Sequence, residues 1–347
     1  MKKLIIPLFL LAMNAQLFAQ TGKAIFLHHS TGNAVYTQGN VKKWITNFNA
    51  QNNTTFSITE FSYPDTPWPW SNYPYDYWKL WIDGSCDNTQ DKIQCLDKLC
   101  QDYELVIFKH CFPGAHILRD TDNGNVTSSK KTLNNYKLQY WALLRLLDQH
   151  PANKFLVWTL APLHRNATDA GEAQRAAEFV DWVKNSWLKE DGKSHPNVFI
   201  FDFFSLAAEL NKNPDSGMQY CLKYAYEGDH EGTDSHPNLV ANQTIGPLFA
   251  AEITHVLGTN IIDAVNHQTS NVLQLQTDRA NQTIWYHTDM PESARGYSIE
   301  VFSILGEMIY KNEKMPSSGM MKIDAKSGVY IFRIKNGNSA LSRKIIL

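Results

Sequence analysis

Short apolar runs that end abruptly in polar or glycine-containing sequence recur through the first 260 residues. They occupy residues 24–27, 56–61 (where apolar and polar residues alternate, as in a strand), 103–108, 155–160 and 198–204. Brief apolar runs bounded in this way are typical of buried β-strands. The first run leads directly into HHSTGN, and the third leads into KHCFPG, so polar side chains are expected at the ends of the strands.

Longer segments between these runs have the spacing of amphipathic helices. Apolar residues recur every three or four positions over 41–48 and 132–149, and again after Asp169 and Glu172, which have the spacing of a capping box. A last helix is expected over residues 239–257, with Gly258 as its C-cap. Strands that alternate with helices predict βαβ units, and therefore an α/β fold with a mostly parallel sheet.

The pattern changes after Gly258. Short alternating runs at 283–287, Tyr297–Ser303 and 328–335 are separated by turn residues, which predicts a small β-sandwich. We therefore expect an α/β domain over residues 20–258, a linker over 259–270 and a C-terminal β domain over 271–347.

The N-terminus has the layout of a secretory signal peptide over residues 1–19. Lys2 and Lys3 precede an apolar run at 4–13, and Ala19 is a small residue at the expected cleavage position. This run is too short for a permanent anchor, and no other stretch approaches the roughly 20 apolar residues of a membrane-spanning helix. The sequence thus predicts an exported protein without a transmembrane anchor.

Composition excludes some classes of partner. The 347 residues carry a formal net charge of -2 and show no basic patch, so no nucleic-acid partner is expected. Hydrophobic residues make up 43% of the chain, enough for a substantial core. Asp229, His230 and Glu231 are adjacent, and adjacent loop residues rarely converge on one ion, so neither a metal nor another cofactor is expected.

Five cysteines remain after removal of the signal peptide, and export favours at least one disulfide. Cys86, Cys95 and Cys100 lie close together in a loop-rich segment, so a local bridge between two of these three is expected. Cys111 follows an apolar strand and is expected to be buried.

The candidate chemistry begins with Ser30, which follows the first strand. A serine hydroxyl needs a neighbouring base, most often a histidine that a carboxylate orients. The stretch TDSHPN, at residues 233–238, offers His236 as the base and Asp234 as the orienting group. The sequence therefore predicts a catalytic site formed by these three residues.

These blocks, together with the polar loops at the strand ends, resemble those of the SGNH (GDSL-type) hydrolase family over residues 23–258. In that family the serine lies in a Gly-Asp-Ser block after the first strand, and an Asp-x-x-His block near the C-terminal end supplies the other two residues. The resemblance implies a flavodoxin-like three-layer α/β/α sandwich and ester hydrolysis through an acyl-enzyme.

This chain departs from the family pattern at three places. His28 and His29 replace the Gly and Asp of the nucleophile block, and Asp234 precedes His236 by two residues instead of three. The orienting group could therefore be another residue, or Ser30 and His236 could act as a dyad. The family's oxyanion asparagine is missing after the third strand.

Four other residues are candidates for binding the oxyanion or the substrate. Lys109 or His110 could donate to the oxyanion in place of the missing asparagine, although Lys109 could equally be a solvated loop residue. His29 lies beside the nucleophile, and His164 lies in a later strand-end loop.

The segment 61–81 is crowded with aromatic residues and prolines. Trp68, Trp70, Tyr75 and Trp78 either stack on sugar rings or, as we favour, cover the core beside the site. We expect the substrate to be a small-molecule or carbohydrate ester. The rival hypothesis is a surface carbohydrate-binding or adhesive protein that has lost the activity, because fold does not establish function.

The C-terminal region resembles the type A sorting domain of the type IX secretion system of Bacteroidota. The resemblance rests on VFSILGEMIY at residues 301–310 and on KSGVYIFRIKNGNSALSRKIIL at residues 326–347. It implies the type IX machinery as a partner, passage across the outer membrane and removal of the tail. The protein is then released or attached to the cell surface.

Overall fold

The structure is a computed structural model of the chain. It describes residues 19–68, 72–259, 273–278, 282–288, 290, 296–337 and 339–347. The predicted signal peptide (except Ala19), the predicted linker (except Thr259) and Trp70 lie outside the described residues.

A five-stranded parallel sheet forms the centre of the larger part of the chain. Its strands are β1 (Gln20–His28), β2 (Thr54–Ser62), β3 (Leu105–Phe108), β4 (Lys154–Trp158) and β5 (Val198–Phe201). They lie in the order β2-β1-β3-β4-β5, and each neighbouring pair is parallel. The predicted α/β fold with a parallel sheet is confirmed.

Helices cover both faces of this sheet, which gives the expected three layers. They are α1 (Ser30–Gln38), α2 (Val41–Asn52), α3 (Pro74–Trp81), α4 (Leu96–Asp102), α5 (Leu133–Leu147), α6 (Ala170–Asn185), α7 (Phe203–Ala207) and α8 (Leu239–Gly258). Ile25 and Leu27 of β1 pack towards α3, α5 and α6, whereas Ala24 and Phe26 pack towards α2 and α8. This alternation follows from the period of two along a strand that is buried on both faces.

Local capping explains where the sequence predictions fail. The strand expected at 198–204 stops at Phe201, because the Asp202 carboxylate accepts a hydrogen bond from Ser205 N and starts α7. Helix α3 lies in the proline-rich segment, where Pro74 occupies a first-turn position that needs no N–H acceptor. Gly258 is the last residue of α8, and its C-cap is Thr259.

The structure agrees with the predictions for the cysteines and with the favoured interpretation of the aromatic segment. Cys86 and Cys95 form the local disulfide, and Cys111 is buried as expected. Trp78 is buried, whereas Trp68 and Tyr75 are half-buried against the core. The described residues of this segment thus mainly cover the core, and Trp68 and Tyr75 keep parts of their rings accessible.

Gly39, the C-cap of α1, touches α8 through its main chain. A Cβ placed on Gly246 would lie 2.4 Å from the Cα of Gly39, so neither position has room for a side chain. Beside this contact, Asn242 Nδ2 donates to Gln38 Oε1 at 2.8 Å. Because Ser30 begins α1 and His236 comes shortly before α8, this contact fixes two elements that flank the predicted site.

The C-terminal region forms two antiparallel sheets, in agreement with the predicted β-sandwich. Their strands are β6 (Leu273–Asp278), β7 (Thr283–Thr288), β8 (Tyr297–Ser303), β9 (Met308–Met315), β10 (Ser318–Lys322), β11 (Val329–Asn336) and β12 (Ser339–Ile346). The orders are β10-β7-β6 and β12-β11-β8-β9. Ile299, Val301, Phe332 and Ile334 contribute to the core between them.

Candidate active site

Ser30 lies at the N-terminus of α1, directly after β1. The preceding residue, His29, is extended, and its side chain does not cap the helix. The N–H groups of Ser30, Thr31 and Gly32 belong to the first turn and have no acceptor within the helix. The exposed Ser30 hydroxyl therefore lies beside main-chain donors at the positive end of a helix dipole.

The structure brings Ser30, His236 and Asp234 into one hydrogen-bonded row. Ser30 Oγ and His236 Nε2 are 2.6 Å apart, and His236 Nδ1 lies 2.6 Å from Asp234 Oδ1. The same carboxylate oxygen accepts the main-chain N–H of His236 at 3.0 Å. This tight turn allows an aspartate only two residues before the histidine to reach its ring.

The Asp234 side chain is 68% exposed, so water partly screens the charge of its carboxylate. Partial burial acts to raise its pKa, but the hydrogen bonds from the main chain and the ring of His236 outweigh that effect and lower the pKa. The ionised carboxylate holds the proton of His236 on Nδ1. Nε2 then has a free lone pair that can accept the hydroxyl proton of Ser30.

The loop that carries Asp234 and His236 is fixed by its neighbours. Ser235 is buried, and its hydroxyl accepts the main-chain N–H of His164 at 2.8 Å. Asn238 caps α8 by accepting from Ala241 N, and its amide donates to Glu227 O at 3.0 Å. The ring of Phe112 contacts the His236 ring edge-on, with 4.9 Å between the ring centroids.

His29 is placed beside the nucleophile, but its two ring nitrogens are bonded to the last residue of β2 and to the loop that follows it. Nε2 lies 2.6 Å from Pro64 O, and Nδ1 lies 3.1 Å from Ser62 Oγ. Burial lowers the pKa of this histidine despite the bond to Pro64. The ring therefore holds the loop after β2, and the structure does not direct its nitrogens at Ser30.

Lys109 is fully buried, which rules out the solvated loop residue that was one expectation for it. Its side chain runs beneath α1, where a Cβ on Gly32 would lie 2.9 Å from Lys109 Cδ. The ammonium lies 3.8 Å from Cys111 Sγ, and burial lowers the pKa of the lysine.

His110 and His164 are also fully buried, and both bond to protein groups. His110 Nε2 lies 2.8 Å from the Tyr140 hydroxyl in the core beneath α5, and burial lowers its pKa to about 3. His164 Nδ1 accepts from Asn166 N at 3.0 Å, and Nε2 lies 3.3 Å from Glu227. Both rings contact groups of the protein interior. The oxyanion and substrate roles expected for them stay predictions.

Sequence reasoning missed a buried carboxylate behind the loop that carries Asp234. Glu227 receives Arg165 Nη1, and His230 Nδ1 lies 2.8 Å from the same oxygen. Glu227 lies in a loop with several acidic residues, and nothing in the sequence distinguishes it from them. Among the residues that the structure describes, no group of His, Cys, Asp and Glu side chains is arranged to hold a metal ion.

The arrangement has the parts required for covalent catalysis by a serine. A hydroxyl can pass its proton to a neutral imidazole, a carboxylate keeps that imidazole oriented, and main-chain N–H groups lie where negative charge would develop.

Comparison with protein families finds one match. Residues 280–347 match the family described as a secretion system C-terminal sorting domain, which confirms the predicted sorting domain. This domain indicates export by type IX secretion to the cell surface or beyond it. In the described part of the chain, no helix has both the length and the apolar character to cross a membrane. No curated protein matches the chain.

Several solved structures resemble the chain weakly. A gut microbial diltiazem-metabolizing enzyme has 9% identity and a TM-score of 0.38, over 88% of this chain and 73% of its own. A Cellulomonas fimi endo-beta-1,4-mannanase double mutant has 7% identity and a TM-score of 0.20, over 92% and 59%. A Bacteroides uniformis beta-glucuronidase has 9% identity and a TM-score of 0.19, over 75% and 27%. Likenesses at this level carry no argument about activity.

Proposed function

We propose that this exported chain is a serine esterase of the SGNH type, whose hydrolase domain comprises residues 20–258. The observation that carries the proposal is the row Ser30, His236 and Asp234, with 2.6 Å between Ser30 Oγ and His236 Nε2 and 2.6 Å between His236 Nδ1 and Asp234 Oδ1. This is the arrangement in which a histidine can activate a serine.

In the proposed first half-reaction, Ser30 Oγ attacks the ester carbonyl carbon while His236 Nε2 takes the hydroxyl proton. The carbonyl oxygen becomes an oxyanion, which the first-turn N–H groups of α1 stabilise. The carbon–oxygen bond to the leaving alcohol then breaks as His236 returns the proton to that alcohol. Ser30 is left acylated.

In the second half-reaction, water replaces the alcohol. His236 takes a proton from the attacking water, the bond between the acyl group and Ser30 breaks, and the proton returns to Ser30 Oγ. Asp234 stays ionised throughout and stabilises the imidazolium that forms twice in the cycle.

For the substrate, we propose an acyl group on a carbohydrate. Export places the protein where extracellular glycans are met, and Trp68 and Tyr75 keep partly accessible rings in the aromatic segment. Flat rings suit the apolar faces of sugars, and aromatic residues are frequent anchors in binding sites. A small acyl group would suit a serine that is itself exposed.

The test is labelling with a fluorophosphonate probe, followed by mapping of the labelled peptide by mass spectrometry. We expect label on Ser30, none in Ser30→Ala, and strongly reduced label in His236→Ala. Ser57→Ala, which removes an exposed hydroxyl on β2, is the control and should label normally. Label on another serine would show that the nucleophile is wrong. A folded protein that takes no label would favour a carbohydrate-binding protein without activity.

A further inference from the structure

The C-terminal sheets pack against the parallel-sheet domain. The outer face of the sheet β12-β11-β8-β9 packs on α2 and α8. Phe302 of β8 and Ile331 of β11 are at most 1% exposed, and they belong to the same hydrophobic cluster as Trp44 and Phe48 of α2. The Phe302 ring centroid lies 5.5 Å from that of Trp44. We call this surface, formed by α2 and α8, the docking face.

Arg333 of β11 is the centre of the contact, with its side chain 1% exposed. Its Nη2 donates to Ala251 O at 2.7 Å and lies 3.3 Å from Thr254 Oγ1, both on α8. The guanidinium carbon is also 5.9 Å from the ring centroid of Trp44 and 5.7 Å from that of Phe48. A buried cation needs hydrogen-bond acceptors and opposite charge, and the docking face supplies acceptors and aromatic rings.

The opposite charge comes from within the C-terminal sheet. Glu300 pairs with Arg333 across β8 and β11, and its carboxylate lies 3.6 Å from the guanidinium and 2.9 Å from Lys335 Nζ. The sheet therefore presents a group of one carboxylate and two cations to the docking face, in which the buried guanidinium is paired with opposite charge. An unpaired charge there would resist burial.

Polar contacts from α2 fix the turn between β8 and β9. Asn47 Nδ2 donates to Leu305 O, and Gln51 Oε1 accepts Met308 N at 2.6 Å. Both hydrogen bonds are made to main-chain groups, so they form only when the backbone of the turn has this conformation. Apolar packing, one buried charge group and directed hydrogen bonds are together the composition of a stable protein interface.

We propose that the docking face is a binding site for the chain's own sorting domain, and that it holds this domain after the chain is cut between them. Cutting the segment between α8 and β6 removes only the effective concentration that the covalent connection supplies, which is on the order of millimolar for short connections. Maturation then needs two events, cleavage of the chain and undocking of the tail.

The site is separate from the proposed catalytic row, so this inference does not depend on esterase activity. Ala251 and Thr254 lie more than ten residues along α8 from its start near His236. At 1.5 Å per residue, that is roughly 18 Å along the helix. A docked tail therefore leaves Ser30 accessible.

The experiment uses the full chain with a protease recognition sequence inserted between residues 264 and 265. The purified protein is cut, and gel filtration is run at about 1 µM without denaturant. We expect the two pieces to elute together. Separation of the wild-type pieces at this concentration would overturn the proposal.

Two variants test which contacts hold the pieces. Arg333→Ala removes the buried cation and is expected to speed dissociation of the cut complex about 30-fold or more, whereas Lys322→Ala, which removes an exposed cation on β10 of the other sheet, should change it little. Asn47→Ala combined with Gln51→Ala removes two bonds from the surface of α2 and should speed dissociation about tenfold.

The second variant keeps the result readable if Arg333→Ala misfolds the tail, because it leaves the tail unchanged. Circular dichroism of the uncut proteins reports folding in each case. Dissociation rates equal to wild type in both variants would show that the assigned contacts do not hold the tail. A tail that dissociates from the docking face only in these variants supports the proposal.

Discussion

Asp234 offers the sharpest test of the proposed catalytic row, because its carboxylate is both directed and exposed. Asp234→Asn keeps the size of the side chain and an oxygen that can accept the His236 main-chain N–H, but it removes the negative charge beside Nδ1. The amide can also present its N–H₂ to Nδ1 and stabilise the wrong tautomer of the ring.

The magnitude follows from the exposure of the carboxylate. A hydrogen bond to a charged group contributes about 1.5–3 kcal/mol. Because this carboxylate is 68% exposed, water screens its charge, and the lower part of that range applies. At about 1.4 kcal/mol per factor of ten, we expect kcat/KM to fall roughly 10- to 30-fold. A buried triad aspartate costs about 10⁴-fold, so the loss here should be much smaller.

The assay is hydrolysis of p-nitrophenyl acetate, with the rate of fluorophosphonate labelling of Ser30 as a second readout. Asp229→Asn is the matched control. Asp229 lies in the same loop and accepts Glu231 N at 3.0 Å, as Asp234 accepts His236 N, but within the described part of the chain no hydrogen bond or ion pair joins it to a histidine ring. Equal rates in Asp234→Asn and Asp229→Asn would refute the orienting role. They would leave Ser30 and His236 as a dyad.

Two further predictions concern stability. Burial lowers the pKa of His110 to about 3 from its ordinary 6.5, so between these values the unfolded chain binds the extra proton and stability falls as the pH falls. Guanidinium unfolding should show that this group lowers the unfolding free energy by about 2 kcal/mol between pH 7.5 and pH 5. This contribution should be absent in His110→Asn. An equal difference between the two pH values in the wild type and in this variant would contradict the prediction. Replacing Cys86 and Cys95 by serine opens a loop with a sequence separation of 9 and should lower the unfolding free energy by about 2–3 kcal/mol, whereas Cys221→Ser tests for a general effect of losing a thiol.

The parallel sheet could be predicted because its central strands β1, β3 and β4 contain uninterrupted apolar runs that are buried on both faces, and the edge strand β2 alternates. Helix α1 could not be predicted, because its start, STGN, has the composition of a turn and its burial depends on contact with α8. Helix α3 could not be predicted, because the prolines before it are typical of irregular structure. In both cases, tertiary packing outweighs a weak local signal.

The row Ser30, His236 and Asp234 was predicted as a group because each residue has a recognisable sequence neighbourhood. The structure agrees in geometry, and the catalytic role itself stays a prediction. The histidines were the difficult part. His110 and His164 follow strands as site residues do, but sequence does not say which face of the sheet a side chain after a strand will enter, and both are buried.

The contact between Gly39 and Gly246 helps to set the distance between Ser30 and His236 in the proposed row. The nucleophile and the base belong to segments about 200 residues apart, yet each lies close to one of two helices whose main chains meet without any side chain between them. The separation of those helices is therefore set by backbone dimensions, which mutation elsewhere does not alter. A single methyl group at either glycine would act as a wedge. We expect it to force the two main chains apart at this point and, through the two helices, to lengthen the 2.6 Å between the Ser30 hydroxyl and the His236 imidazole.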